Sequence, residues 1–241
     1  MDGEVTAAEM RARAWGALGH SSAYGTFVLG LFVQGLAITA AILILVAVFI
    51  GGAAAVTAVL QSMGVNVEQL SFPLLAGTFA LSAVAVCGAL YVVSFSWWGQ
   101  TAMGIATVRG GLRFSHAFSG WGNGWRMTSL LLWQSTYVTL YFLLLIVPGI
   151  RACFTYALAP YLLVDRPELT PRQCLAESAR LMEGHRWRLF CLGVSFTGWF
   201  ILVVLLSMVV GNLAQTFFNP YPLTAFAAFY EDLLDRQDHA V

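Results

Sequence analysis

From Phe27 to Leu60, and again from Phe72 to Val108, the chain carries no charged side chain. A helix needs about 20 apolar residues to cross a bilayer, so either run can span with length to spare. Composition points the same way: of 241 residues, 59% are hydrophobic and 10% charged. A soluble domain is nearer half apolar and a quarter charged. Lipid is therefore the expected solvent for much of this chain. Gly51-Gly52 is expected to end or bend the first embedded run. Its polar exceptions, Gln34 and Thr39, suit helix–helix hydrogen bonds. Trp97 and Trp98 mark an interface near the end of the second.

The fold class expected is all-α: a polytopic transmembrane helical bundle forming a single transmembrane domain over 1–241, with short interfacial amphipathic helices. Five spans are read at about 27–60, 72–108, 127–147, 150–164 and 189–211. A sixth follows if the C-terminal segment, 219–241, also crosses. Residues 1–23 read as an N-terminal amphipathic helix. Thr6 and Glu9 have the spacing of a capping box, and Met10, Ala14, Ala17 and Leu18 share one face. Such a helix either lies on the membrane or packs against the bundle.

Pro148-Gly149 is expected to break the third run as a tight turn. The arm after it, 150–164, is about 22 Å long at 1.5 Å per residue. That is short for a hydrocarbon core of about 30 Å. Either Arg151 snorkels to the far headgroups, or the hairpin does not fully cross. Pro160 is expected to kink this arm. Over 170–184 a cytoplasmic surface helix is predicted. Thr170 is its N-cap, Pro171 its first residue, Gln173 the partner in a capping box, and Gly184 its C-terminal left-handed residue. Trp187 then anchors the next span at the interface. Asn219-Pro220-Tyr221-Pro222 interrupts the remainder, and Glu231 to Val241 reads as an acidic tail.

The chain's basic residues number twelve and all are arginine. Arg109, Arg113, Arg126, Arg172, Arg180, Arg186 and Arg188 are candidate contacts to anionic lipid or a partner. With five spans they fall on one side, which the positive-inside rule makes cytoplasmic together with the N-terminus. Arg151 then stands alone outside. Pro148, Gly149, Arg151, Asp165, Gly184 and Trp187 are the expected turn and anchor residues, and Asp165 with Arg166 could close the inner loop. Basic residues interleave with aromatics from Arg109 to Arg126, but beside two spans this pattern favours lipid over nucleic acid.

The segment from about residue 128 to 232 also carries a set of short motifs in order. They are Pro148-Gly149-Ile150 followed by Arg151, and the arm ending Tyr161-Leu162-Leu163-Val164-Asp165-Arg166-Pro167. Ser178, Leu181-Met182-x-Gly184-His185, Leu189-Phe190 and Ser195-Phe196-x-Gly198-Trp199 come next. Pro220-Tyr221, here followed by a second proline, and Phe229-Tyr230 close the set. Together they resemble domain-of-unknown-function family 975. The resemblance implies a multi-pass protein of the bacterial cytoplasmic (inner) membrane, in a family with no established activity and no functional residues to transfer.

No HExxH, GxSxG or P-loop occurs, and the absence of lysine removes Schiff-base chemistry. Cys87, Cys153, Cys174 and Cys191 have no CxxC spacing. No cofactor or metal is expected, and no span carries an Asp, Glu or His of the kind ion-coupled carriers place at mid-depth. The leading expectation is a non-enzymatic membrane scaffold or interaction protein, its basic face on anionic lipid or a membrane or cytosolic protein partner. A transporter or export accessory for a lipid or amphipathic molecule, without ion coupling, is the alternative. A membrane-embedded enzyme using His116, His185 or Asp165 is third.

Overall fold

A computed structural model describes residues 6–19, 22–62 and 71–238, and every element among them is helical. In order these are α1 (Ala7–Leu18), α2 (Ala23–Ser62), α3 (Ser71–Val108), a 3-10 turn (Phe114–Phe118), α4 (Gly124–Leu144), α5 (Ile146–Thr155) and α6 (Ala159–Asp165). Then follow α7 (Pro171–Leu181), α8 (Arg186–Ser195), α9 (Thr197–Val210), α10 (Asn212–Phe218) and α11 (Pro220–Asp238). The chain divides into two compact units, one over Leu36–Val93 and one built from the described residues of Met1–Gly35 and Ser94–Val241.

The Leu36–Val93 unit takes the latter part of α2 and the first part of α3. Leu43, Ile44, Val48, Ile50, Phe79 and Val84 are all exposed there. Helices apolar on every side have no soluble face.

In the other unit, α1 packs on α11 and α8, α4 pairs with α5, and α7 lies against α4 and α6. The core joins Met10 and Ala14 of α1, Leu130 of α4, Leu162 and Leu163 of α6, Cys174 of α7, Leu189 and Leu192 of α8, and Phe229 and Tyr230 of α11. Local signals start two of these helices. Thr6 and Glu9 cap α1 reciprocally, and Thr170 and Gln173 do the same for α7. The stripe of α7 holding Cys174, Leu175 and Ser178 is buried on protein, and the Ser178 hydroxyl donates to the Thr155 carbonyl at 2.8 Å. Gln34, 1% exposed, donates from Nε2 to the carbonyls of Ser96 and Ala117 at 3.3 Å each, tying α2 to α3 and the 3-10 turn.

Among the described residues three helical stretches are long and apolar enough to cross a bilayer, Ala23–Val59, Ser82–Val108 and Ile146–Asp165, or four if the bent pair α8–α9 counts as one. This corrects the five spans expected. The stretch read as a span over 127–147 falls in α4, whose Thr128, Ser129, Gln134, Ser135 and Thr136 dilute its hydropathy. The run over 189–211 is not one straight rod, since α8 and α9 meet at a 44° bend. There the Ser195 hydroxyl bonds back to the Leu192 carbonyl.

The hairpin break is also displaced. Leu145, at φ −169° and ψ 151°, separates α4 from α5, while Pro148 lies inside the first turn of α5. A proline's missing N–H and its ring act on the carbonyl four residues earlier. The ladder therefore fails a turn ahead of Pro148 rather than at it. Gly149 makes no reversal. A Cβ there would lie 2.5 Å from Cγ of Phe142, so glycine is needed for close approach of α4 and α5. Pro160 likewise follows a break over Tyr156–Leu158 and opens α6. Gly184, by contrast, has φ +79° after α7, the left-handed region that favours glycine.

Asn219-Pro220-Tyr221-Pro222, expected to interrupt the chain, begins α11. Both prolines sit in its first turn, where amides have no helical acceptor. The expected acidic tail is the second half of the same helix as far as Asp238, with Asp232 only 6% exposed. Residues 239–241 lie outside the described residues.

Gly149→Ala should force α4 and α5 apart and destabilise the protein by about 1–3 kcal/mol. Thermal melting in detergent checks this, and an unchanged midpoint would show that the helices can separate freely.

Candidate functional site

Two ion clusters meet on successive residues of α11. On one side, Arg109, just past the end of α3, donates from Nη1 to Asp165 Oδ1 at 2.6 Å and from Nε to Glu231 Oε1 at 2.9 Å. The Tyr230 hydroxyl donates to the other oxygen of Asp165 at 3.0 Å, and the Tyr230 ring stacks on Tyr161. Asp165 thus pairs with Arg109 across the fold instead of closing a loop with Arg166.

On the other side, Asp232 Oδ2 accepts from Arg188 Nη2 at 2.8 Å and Arg236 Nε at 3.0 Å, while Arg13 Nη1 stands 3.7 Å from Oδ1. The Arg188 and Asp232 side chains are only 10% and 7% exposed. The Arg188 guanidinium also lies over the Phe229 ring.

Environment splits the two neighbouring carboxyls. Burial pushes Asp232 up, but hydrogen bonds from Arg188 and Arg236 outweigh it and hold this carboxyl below its usual range. Burial dominates at Glu231, which stays above its ordinary value despite Arg109. Burial and then the charge of Asp165 push the Tyr230 phenol far up. The Arg109 guanidinium, hydrogen-bonded to Asp165 and flanked by Glu231, is held still more firmly protonated than usual. These are the properties of a structural clamp.

The remaining candidate arginines have separate surroundings. Arg126 donates to the Leu169 carbonyl at 2.6 Å. Arg172 sits 3.9 Å over the Trp133 ring. Arg180 pairs with Glu177 on the exposed side of α7. Arg113 and Arg186 form no ion pair among the described residues, and Arg113 is exposed.

Arg186 borders a cavity of about 310 Å³ together with Arg151, Pro148, Thr155, Tyr141 and Tyr156. This corrects the expectation that Arg151 stands alone on the far side. Packing of α5 on α8, with Phe154 edge-on to Phe190, brings the two arginines to one site. Trp187, an expected anchor, is exposed and stacks on Phe190.

Among the described residues no group of His, Cys, Asp and Glu is arranged to hold a metal. His116 Nδ1 meets the Arg113 amide at 3.0 Å and caps the 3-10 turn. Burial pushes the Cys174 thiol up to about 11, far from a thiolate at neutral pH.

Fold and clamp together define a class: an all-helical protein with several helices able to cross a bilayer, its C-terminal half locked by ion pairs. The chain belongs to the family described as a protein of unknown function (DUF975), which it matches over residues 112–237. No curated protein and no solved structure matches the chain. The match begins three residues after Arg109, so the clamp joins the family region to α1 and α3 outside it.

Sequence reasoning placed Tyr230 only in a closing motif and Glu231 and Asp232 in an acidic tail, and it missed the pairing of these residues with Asp165, Arg109, Arg188 and Arg13. The i,i+4 spacing of Asp232 and Arg236 is a local signal that this stretch is helical.

Asp232→Asn should destabilise the protein at pH 7 by about 3 kcal/mol, because Arg188 would keep a buried charge without its counter-ion. The wild-type carboxylate contributes stability above the ordinary aspartate value of 3.8 and loses it as pH falls through its lower folded value. The gap between variant and wild-type melting should therefore close below pH 3.8. Glu231, held above 4.5, works in the opposite sense and gains folded-state preference as it protonates. A gap constant from neutral to acid pH would assign the loss to shape instead of charge.

Proposed function

We propose that this is a multi-pass protein of a bacterial inner membrane, with a cytoplasmic N-terminus, that acts as a non-enzymatic scaffold binding anionic lipid headgroups. One observation carries the reading. Asp165, Glu231 and Asp232 are committed to internal pairs, leaving the Arg113, Arg151 and Arg186 guanidiniums with no ion pair among the described residues. A guanidinium without an ion pair beside apolar helices suits the phosphates of anionic lipid.

The orientation has its own support. Arg13 precedes the long α2 and Arg109 follows the long α3, yet both reach carboxylates of α11. The start of α2 and the end of α3 are therefore read as lying on one side, and the positive-inside rule would make that arginine-rich side cytoplasmic.

Native mass spectrometry after reconstitution into equal phosphatidylglycerol and phosphatidylcholine is the test. The wild type should retain phosphatidylglycerol in excess, and the triple variant Arg113→Gln, Arg151→Gln, Arg186→Gln should lose that excess. Equal retention of both lipids by the wild type would reject the reading.

A second reading has one observation of its own. Within the Leu36–Val93 unit, Ile42, Leu45, Phe49, Ala85 and Val86 line an apolar cleft of about 320 Å³. Such a cleft suits an acyl chain and favours a carrier of a lipid or amphipathic molecule. Reconstituted vesicles should then move a fluorescent phospholipid between leaflets faster than protein-free vesicles. Flux at background would retire this reading.

A further inference from the structure

We propose that the cavity between α5 and α8 is a phosphate-binding site, with Arg151 and Arg186 as its ligands. The site refines the lipid-scaffold reading and rests on it. Two cations share one cavity of about 310 Å³. An anion in the cavity would be flanked by both guanidiniums, Arg186 half-buried and Arg151 exposed at the rim. No carboxylate among the described residues takes that place, since neither arginine forms an ion pair.

A second observation points to a missing acceptor. Arg186 Nε is buried and has no hydrogen-bond partner. A buried donor left in this state is rare and unfavourable, and the side chain would gain by turning it toward an acceptor in the cavity. The protein's own groups do not supply one. The Thr155 hydroxyl is turned onto the Arg151 carbonyl, to which it donates at 2.8 Å.

The remaining walls match the same ligand. Tyr141 and Tyr156 contribute phenols that hydrogen-bond to each other, and the hydroxyl proton left over can go to an oxyanion. Arg186 is the first residue of the ten-residue α8, whose opening amides point toward its N-terminus. Guanidinium forks bind phosphate through paired hydrogen bonds.

The surroundings favour a phosphate attached to lipid. Ile146 and Val147, in the turn of α5 that holds Pro148, are 69% and 76% exposed, and Trp187 beside Arg186 is 71% exposed. An anionic headgroup could enter the cavity while its acyl chains lie along these side chains. Free phosphate would use the same two arginines and gain nothing from the apolar rim.

The test is thermal melting of the full chain in detergent, titrated separately with dioctanoyl phosphatidylglycerol, dioctanoyl phosphatidylcholine and sodium phosphate. Phosphatidylglycerol should raise the wild-type midpoint and phosphatidylcholine should not. The apparent affinity should fall about tenfold or more in the Arg151→Gln, Arg186→Gln variant, from loss of charge-assisted hydrogen bonds. Arg180→Gln, on the exposed face of α7, should keep the full shift.

If the glutamine variant does not melt cooperatively, the Arg151→Lys, Arg186→Lys variant carries the test. It keeps the charge but loses the fork, and a weakened shift supports the site. A shift with sodium phosphate equal to that with phosphatidylglycerol, lost in the same variants, assigns the site to free phosphate. Undiminished phosphatidylglycerol protection in the paired variants overturns the site while leaving lipid binding elsewhere intact. No preference for phosphatidylglycerol in any form, with no response to phosphate, overturns the site and the scaffold reading together.

Discussion

A carboxylate as buried as Asp232 persists only where cations surround it, because an unpaired charge away from water is strongly unfavourable. Its cations come from α8, from α11 itself and, at longer range, from α1. That requirement sets the position and rotation of α11, which in turn aims Tyr230 and Glu231 at the α3–α6 side. Apolar burial could not do this alone. It has no direction, and between helices already in lipid it supplies little drive to associate. Ion pairs provide the register, and the apolar core fills in around them.

The same arrangement changes what the arginines mean. Read along the chain, they form a basic coat. In space, most are neutralised or shielded: Arg109 and Arg188 by carboxylates, Arg126 by a carbonyl, and Arg172 by an indole ring. A basic surface inferred from residue counts overstates the charge available to a partner. What remains is narrower, and Arg151 and Arg186 concentrate part of it in a single hollow.

Features that depend on a few adjacent residues were legible in the sequence. The two capping boxes, the all-helical class and the long uncharged runs are of this kind, since each follows from short-range geometry or plain hydropathy. Features that depend on distant partners were not. Arg109 and Glu231 are 122 positions apart, and Arg188 and Asp232 are 44 apart. With no visible partners, the acids of α11 read as a solvated tail. Span counting failed for a different reason. A hydropathy window cannot see that Pro148 disrupts a carbonyl four residues upstream, or that α8 and α9 meet at a 44° bend beside the Ser195 hydroxyl. The family resemblance, read over about 128–232, extends in fact to 112–237.

The contact of α1 with α11 sets an order of events during biosynthesis. At about 5–20 residues per second, the ribosome releases α11 roughly 10–40 s after α1. Throughout that interval Met10 and Ala14 have no α11 to cover them, Arg13 lacks Asp232, Arg109 has Asp165 but not Glu231, and Arg188, once made, waits for Asp232. Nascent chains arrested before residue 231 would carry this unneutralised charge beside greasy helices, a state that membrane proteases and chaperones could tell apart from the finished protein.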